Sequence, residues 1–127
     1  MDLHIHHVAL ICSDYPRSKA FYTETLGLEI VSETYREERE SYKLNLRLAG
    51  GAQLELFSFP SPPPRVTRPE ACGLRHLAFA APDLDATVAR LESLGVACEE
   101  IRTDEGTGRR FTFFHDPDGL PIELCAD

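Results

Sequence analysis

The sequence lacks any uninterrupted apolar run of about 18 residues, the length that a membrane-spanning helix needs. Its first residues also lack a basic segment followed by an apolar core, which is the pattern of a secretory signal. Cysteine is sparse and scattered, with no Cys-x-x-Cys pair, so we expect reduced thiols at Cys12, Cys72, Cys98 and Cys125. These absences predict a cytoplasmic protein that has no membrane partner.

Positive charge is also in short supply. The chain has 13 Lys and Arg against 21 Asp and Glu, a net charge of −8, which argues against a nucleic acid as a partner. Its 127 residues are enough for one compact domain with a real core and too few for two independent ones. We therefore treat residues 1–127 as a single domain.

One sequence pattern occurs twice. Residues 3–14 read LHIHHVALICSD and residues 75–83 read RHLAFAAPD, and in each a His is followed by an Asp seven positions later. A helix-like segment ending in Leu-Gly follows each run, and each half closes on a carboxylate between apolar residues, Glu55 or Glu123. The separation from His to Glu is 48 positions in the first half and 47 in the second. The chain therefore reads as one unit used twice.

Apolar periodicity and turn residues predict the same β-α-β-β-β order in each half, and hence an α+β fold. Unit one covers about residues 3–57, a proline-rich linker covers 58–73, and unit two covers about 74–125. The predicted strands are residues 3–11, 28–35, 43–48, 53–57, 74–80, 96–102, 110–115 and 120–125. The linker is expected to be extended, either a plain tether or a functional lid or crossover segment.

Finer local predictions follow from the same patterns. The first strand has two largely apolar faces, so we expect it to be covered on both. Asp14 and Asp83 are expected to cap the two helices. The second helix should bury a stripe of apolar side chains (Leu84, Val88, Leu91 and Leu94).

The repeated His and Glu are the candidate functional residues. His7 and His76 fall within predicted strands, and a carboxylate such as Glu55 or Glu123 inside a covered sheet must be paired or coordinated. Two imidazoles and two carboxylates suit a borderline divalent cation such as Zn²⁺, Ni²⁺, Co²⁺, Mn²⁺ or Fe²⁺. The four would converge if the units pack about a pseudo-twofold axis. The alternative is a buried ion-pair cluster that holds no metal.

The other histidines are not predicted to be ligands. Alternation along the first strand places His6 on the face opposite to His7. His4 and His115 have no counterparts in the other half of the chain.

Four stretches carry a resemblance to a known family: HHVALICSDYPRSKAFYTETLGLEI, LELF, LRHLAF and DPDGLPIEL. Together with the paired units they resemble the vicinal oxygen chelate superfamily, which contains glyoxalase I, bleomycin-resistance proteins and extradiol dioxygenases. The region around the linker further resembles the small YaeR-like glyoxalase-related proteins of bacteria. The resemblance implies a curved sheet around a metal-centred cavity and a homodimer, with ligands from one chain or from two.

The resemblance places the family's metal ligands on His7, Glu55, His76 and Glu123, the set that the repeat also selects. It implies a lyase or isomerase of glyoxalase type whose small substrate carries adjacent oxygens and reacts through an enediolate-type intermediate. A glutamate, Glu123 or Glu55, would then act as the general base. Two alternatives remain open: a non-catalytic, resistance-type binding protein, and a metal-dependent dioxygenase.

Two positions depart from the glutathione-dependent pattern. Ile11 stands where that pattern has an Arg, and Phe59 stands where it has an Asn, both of which hold the glutathione moiety. We therefore expect a substrate other than the glutathione hemithioacetal. Arg110 is either an anion partner at the rim of the cavity or a solvated strand end.

Overall fold

A computed structural model describes all residues of the chain, Met1–Asp127. The chain divides into two compact units, Met1–Pro64 and Arg65–Asp127, which we call the first and the second unit. None of the helices combines the length and the apolar character that crossing a membrane requires.

The first unit is one four-stranded sheet with one helix. Its elements are β1 (His7–Cys12), α1 (Tyr15–Ala20), β2 (Glu29–Arg36), β3 (Ser41–Arg47) and β4 (Gln53–Ser58). Helix α1 continues without a break into a π-helical turn, Phe21–Thr25. The strand order is β1-β4-β3-β2, in which β1 and β4 are parallel and the other neighbours are antiparallel.

The second unit repeats this plan. Its elements are β5 (Leu77–Ala81), α2 (Leu84–Ser93), β6 (Arg102–Thr103), β7 (Arg110–His115) and β8 (Pro121–Ala126). The strand order is β5-β8-β7-β6, again with one parallel pair, β5 and β8. The prediction of an α+β chain built from two repeated units is confirmed.

In each unit the helix covers one face of the sheet. Alternation along the strands places the buried leucines of β3 and β4 on one face (Leu44, Leu46, Leu54 and Leu56), and Tyr22 is buried with them. In the second unit Phe114, Ile122 and Leu124 are buried in the sheet, and Leu84 and Leu91 of α2 are buried too. Full burial of each such side chain contributes about 1.5–3 kcal/mol. The opposite face of each sheet carries the candidate functional residues.

The predicted starts and ends of the helices are confirmed where one or two residues determine them. Asp14 accepts a hydrogen bond from the Arg17 amide at 3.2 Å, and Asp83 accepts one from the Ala86 amide at 3.0 Å. Both are therefore N-caps, as expected. Gly27 has a φ of +71°, the left-handed conformation that ends the first helix.

Several predicted details are wrong. Strand β1 begins at His7 rather than at residue 3, and β5 begins at Leu77, so His76 lies just before its strand. The prediction that both faces of the first strand are covered also fails, because His7, Ala9 and Ile11 are exposed. Leu94 of the predicted apolar stripe is likewise exposed, because α2 ends at Ser93.

Of the strand predicted at residues 96–102, only Arg102 lies in a strand, the two-residue β6. Glu99 keeps one backbone bond to this sheet, from its amide to the carbonyl of Phe113 at 2.9 Å. The Glu99 carbonyl instead accepts a hydrogen bond from the hydroxyl of Thr112 at 2.7 Å. A side-chain donor has replaced the backbone ladder here, so the strand does not extend.

Candidate functional site

His7 and Glu55 form a pair in the first unit. His7 lies opposite Gln53 on the parallel neighbour β4, and Glu55 lies opposite Ala9. Because side chains alternate between faces, His7 and Glu55 project from the same face of the sheet. His7 Nε2 is 3.7 Å from Glu55 Oε1. The Glu55 side chain is 11% exposed and that of His7 43%.

His76 and Glu123 form the matching pair in the second unit. Glu123 lies opposite Ala78, two residues after His76, as Glu55 lies opposite Ala9, two residues after His7. His76 Nε2 is 3.0 Å from Glu123 Oε2, and both side chains are largely shielded from solvent. The ring of Phe113 packs edge-on against that of His76, with centroids 5.2 Å apart. The sequence repeat thus has a geometric counterpart in each unit.

The two glutamates have different neighbours. Glu55 faces the Lys43 ammonium at 3.8 Å and the Asn45 amide nitrogen at 3.4 Å. Glu123 accepts a hydrogen bond from the Cys125 thiol at 3.2 Å. Burial, and then this bond to Glu123, raises the pKa of Cys125, so the sulfur remains a protonated donor. Glu55 thus faces the ammonium group of Lys43, whereas the neighbours of Glu123 are His76 and the weak thiol donor of Cys125.

Glu55 is a buried carboxylate whose polar contacts are all long. None of them, to His7, Lys43 or Asn45, is shorter than 3.4 Å, whereas strong charge-assisted hydrogen bonds are about 2.7–2.9 Å. A carboxylate in such surroundings is compensated more fully by a bound cation. Imidazole nitrogen and carboxylate oxygen are donors that borderline divalent ions accept. The residues present thus fit a divalent metal.

Within either unit, no three His, Cys, Asp or Glu side chains come together as a metal-binding group. The structure groups the four predicted ligands as two pairs, His7 with Glu55 and His76 with Glu123. Each pair supplies one imidazole and one carboxylate.

His6 lies next to His7 rather than on the opposite face. It precedes β1, so strand alternation does not orient its ring, and its Nδ1 is 2.9 Å from His7 Nδ1. This contact occupies His7 Nδ1 and leaves Nε2 facing Glu55. His6 is therefore a neighbour that orients the His7 ring.

Arg110 lies at the exposed start of β7, as one of its two expected roles has it, and is paired with a carboxylate rather than free for an anion. Its guanidinium donates two hydrogen bonds of 2.8 Å to the carboxylate of Asp85 at the start of α2. These bonds hold the pKa of Asp85 below its usual range. Arg110 thus ties β7 to α2.

The positions that depart from the glutathione pattern lie on an aromatic surface of the first unit. Ile11, 59% exposed, lies opposite Phe57, and Phe59 stacks parallel to Phe57 at 6.1 Å. The Arg36 guanidinium and the Lys43 ammonium lie 5.1 and 5.8 Å from the centre of the Phe57 ring. By strand alternation Phe57 projects from the same face as Glu55.

Sequence reasoning missed Asn45, Cys125 and Arg75 as neighbours of the four residues. Asn45 could have been found from the sequence, because the hairpin at residues 49–52 sets the strand register, and that register pairs Asn45 with Glu55. Cys125 could also have been found, since it lies two residues after Glu123 and strand alternation places both side chains on the same face. The Arg75 guanidinium lies 3.2 Å from His76 Nδ1, and nothing in the sequence except its position next to His76 indicated this contact.

Two sheets of this topology, each with a His–Glu pair at equivalent positions, define a duplicated fold with a polar face in each half. Residues 4–124 match the family model described as Glyoxalase/Bleomycin resistance protein/Dioxygenase superfamily, and the chain belongs to this family. That description joins enzymes with resistance proteins, so membership by itself selects no single activity.

Individual relatives are similar over nearly the whole chain. The uncharacterized protein YwkD of Bacillus subtilis is 62% identical over 120 residues, 94% of each chain. The uncharacterized protein YaeR of Escherichia coli is 61% identical, over 94% of this chain and 93% of its own. The crystal structure of the glyoxalase family protein from Enterococcus faecalis superposes with a TM-score of 0.90, at 46% identity and 96% coverage of both chains.

Proposed function

We propose that this protein is a metal-dependent lyase or isomerase of glyoxalase type. Its substrate is a small molecule with oxygens on adjacent carbons, and its cofactor is one divalent ion (Zn²⁺, Ni²⁺, Co²⁺, Mn²⁺ or Fe²⁺). The proposed ligands are His7, Glu55, His76 and Glu123, supplied by one chain or by two. The proposal also includes a cytoplasmic location.

The observation that carries this proposal is the repeated His–carboxylate pair. A single His beside a Glu is common in proteins, whereas here the same two residue types occupy equivalent strand positions in both units. The buried carboxylate of Glu55 with its long contacts adds to this. Family membership supports it, because a divalent ion is common in this superfamily.

A bound divalent ion would polarise the substrate oxygens and so acidify the hydrogen on the adjacent carbon. A carboxylate of the chain would then take that proton and return it at the neighbouring carbon. We assign this role to Glu123 in preference to Glu55. Glu55 is faced by the charged Lys43 and by Asn45, whereas Glu123 has one weak thiol donor beside its histidine.

The substrate is proposed to differ from the glutathione hemithioacetal. Ile11 and Phe59 offer neither a charge nor an amide at the positions where the glutathione-dependent pattern has them. The aromatic surface formed with Phe57 favours an apolar part of a substrate instead.

Elemental analysis of purified variants tests the ligand assignment. We expect His7→Ala and Glu123→Ala each to lower the bound metal per chain severely, because each removes one donor of four. His4→Ala and Glu29→Ala are matched controls, since both residues are exposed and lie outside the pairs. Unchanged metal content in both ligand variants would contradict the assignment.

Deuterium exchange tests the reaction class. A panel of small hydroxyketones and hydroxyacids is incubated in D₂O with protein reconstituted with each candidate metal, and loss of the substrate C–H signal is followed by NMR. We expect exchange that Glu123→Gln abolishes and Glu29→Gln leaves intact. Tight binding of a panel member without any exchange favours the resistance-type alternative, and oxygen uptake with catechols and Fe²⁺ favours the dioxygenase.

We also propose that the protein is a homodimer. Strand β2 exposes Ile30, Val31 and Tyr35, each of them more than 40% exposed. A second copy would remove part of this apolar surface from water. Sedimentation equilibrium is expected to give twice the chain mass, and a monomer at micromolar concentration would contradict this.

A further inference from the structure

The second unit contains a cavity of about 530 Å³ whose lining is rich in arginine. We call it the arginine pocket and define it by its basic lining residues, Arg65, Arg68, Arg75, Arg102, His76 and His115. Two carboxylates, Glu70 and Glu99, also line it, so four guanidinium groups face two negative charges. This local positive excess occurs in a chain whose net charge is −8.

Arg65 holds one wall of this pocket in place. Its guanidinium donates to the carbonyl oxygens of Leu74 at 2.8 Å and Arg75 at 2.7 Å. The bonds close residues 65–75 into a loop, which we call the arginine strap. Two charge-assisted bonds to the main chain fix the strap directly before His76. Arg65 therefore has a structural role, and the guanidinium groups of the other pocket arginines are left to contact a ligand.

The remaining guanidinium groups are available to an anion. Arg68 is exposed and makes no hydrogen bond or ion pair. Arg75 pairs with Glu70 at 3.2 Å, and Arg102 approaches Glu99 at 3.8 Å, with all four side chains half-exposed or more. Such exposed pairs contribute little, so an incoming anion can displace the glutamates at small cost.

His76 connects this pocket with the candidate metal ligands. It lines the pocket, and its Nδ1 is 3.2 Å from the Arg75 guanidinium while its Nε2 faces Glu123. A molecule held at His76 therefore lies within reach of the pocket arginines. No lysine or arginine side chain contacts Glu123 itself. An anionic substrate group is thus better accommodated in the arginine pocket than beside Glu123.

We propose that the arginine pocket binds an oxyanionic group of the substrate, either a carboxylate or a phosphate. The substrate is then an acid that carries its adjacent oxygens near a negatively charged end. Arg68, Arg75 and Arg102 would contact that end, as guanidinium groups match the geometry of both oxyanions. This proposal rests on the proposed function, because it places the substrate at His76.

NMR titration of chelator-treated protein tests the pocket without metal. Inorganic phosphate and succinate are added separately, at constant ionic strength, to ¹⁵N-labelled protein. We expect saturable shifts confined to the arginine strap and the neighbouring ends of β6 and β7. The tighter of the two anions identifies the group as phosphate or carboxylate. Shifts that do not saturate, or that spread over the whole basic surface, would overturn the proposal.

Two charge variants with opposite expected effects sharpen this test. Arg68→Gln should weaken anion binding about threefold to tenfold by removing one guanidinium contact. Glu70→Gln should tighten it, because Arg75 is released and one negative charge is lost. Arg90→Gln and Glu92→Gln on α2 are matched controls that remove the same charges away from the pocket. Equal effects of Arg68→Gln and Arg90→Gln would overturn the proposal.

The metal content of the same variants separates this proposal from the proposed function. Arg68→Gln is expected to bind metal normally, because Arg68 contacts none of the four ligands. Saturable, pocket-specific anion binding in a protein that binds no metal would refute the metal assignment alone. Normal metal binding without anion shifts at the strap would refute the arginine pocket alone.

Discussion

The substitution Glu55→Gln in metal-free protein separates a metal site from a structural ion-pair cluster. Glutamine keeps the size of the side chain and removes its charge. If Glu55 serves a metal, the metal-free wild type carries a buried carboxylate with long contacts, and the neutral variant is expected to be more stable. If Glu55 serves an ion-pair cluster with Lys43 and His7, the variant is expected to be less stable.

The magnitude follows from the contacts of Glu55. At 3.8 Å the attraction between Lys43 and Glu55 is about 4 kcal/mol at an effective dielectric constant of about 20, and nearer 1 kcal/mol where water screens it. The Lys43 side chain is 38% exposed, so screening is substantial. The desolvation cost of the buried carboxylate is several kcal/mol. We therefore expect Glu55→Gln to stabilise the metal-free protein by about 1 kcal/mol, or about 4 °C in Tm.

The assay is thermal and urea unfolding, followed by circular dichroism, of wild type and variant in excess chelator. Glu29→Gln is the control, because Glu29 is an exposed partner of Arg47 and should change stability by less than about 0.5 kcal/mol. With the native metal present the order should reverse, since the charged carboxylate of the wild type binds the ion more tightly than the neutral amide of the variant. A metal-free Glu55→Gln protein that is less stable than wild type by 1 kcal/mol or more would refute the reasoning.

Three further outcomes are expected. Phe114→Ala removes a fully buried ring from β7 and should cost about 3–5 kcal/mol in the urea-derived free energy of unfolding; a cost below about 1 kcal/mol would contradict the packing. Lys19 donates to Glu33 and lowers its pKa, so this contribution to stability is present above pH 4.5 and is lost as the pH falls through the lowered folded-state value. Unfolding curves from pH 7 to 3 should therefore be flatter for Glu33→Gln than for wild type, and parallel curves would contradict this. Mass spectrometry of alkylated native protein should find Cys72, which is exposed, modified first and the buried Cys12 last, and the reverse order would contradict the fold.

The features that could be predicted from the sequence are those fixed by a few neighbouring residues. Asp14 and Asp83 cap their helices through bonds to amides three residues on. The hairpin at residues 49–52 forms where two glycines adjoin two alternating runs. The repeat itself was visible because duplicated units keep the spacing between His and Glu. These signals sufficed for the α+β fold and for the order of helix and strands along each half of the chain.

Other features depend on contacts that the linear pattern does not encode. The strand predicted at residues 96–102 is lost because the Thr112 hydroxyl takes the Glu99 carbonyl. The linker at residues 58–73 was expected to be extended, yet Arg65 folds its second part back onto the main chain of Leu74 and Arg75. The pairing of each His with its Glu followed from spacing, whereas their distances and neighbours required the register of the sheets.

The most direct test of the central claim is anomalous scattering, at the absorption edges of the candidate metals, from crystals grown with native metal. We expect one ion per site, contacted by the imidazoles of His7 and His76 and by the carboxylates of Glu55 and Glu123. A metal-replete crystal in which these four side chains contact each other and no ion would contradict it.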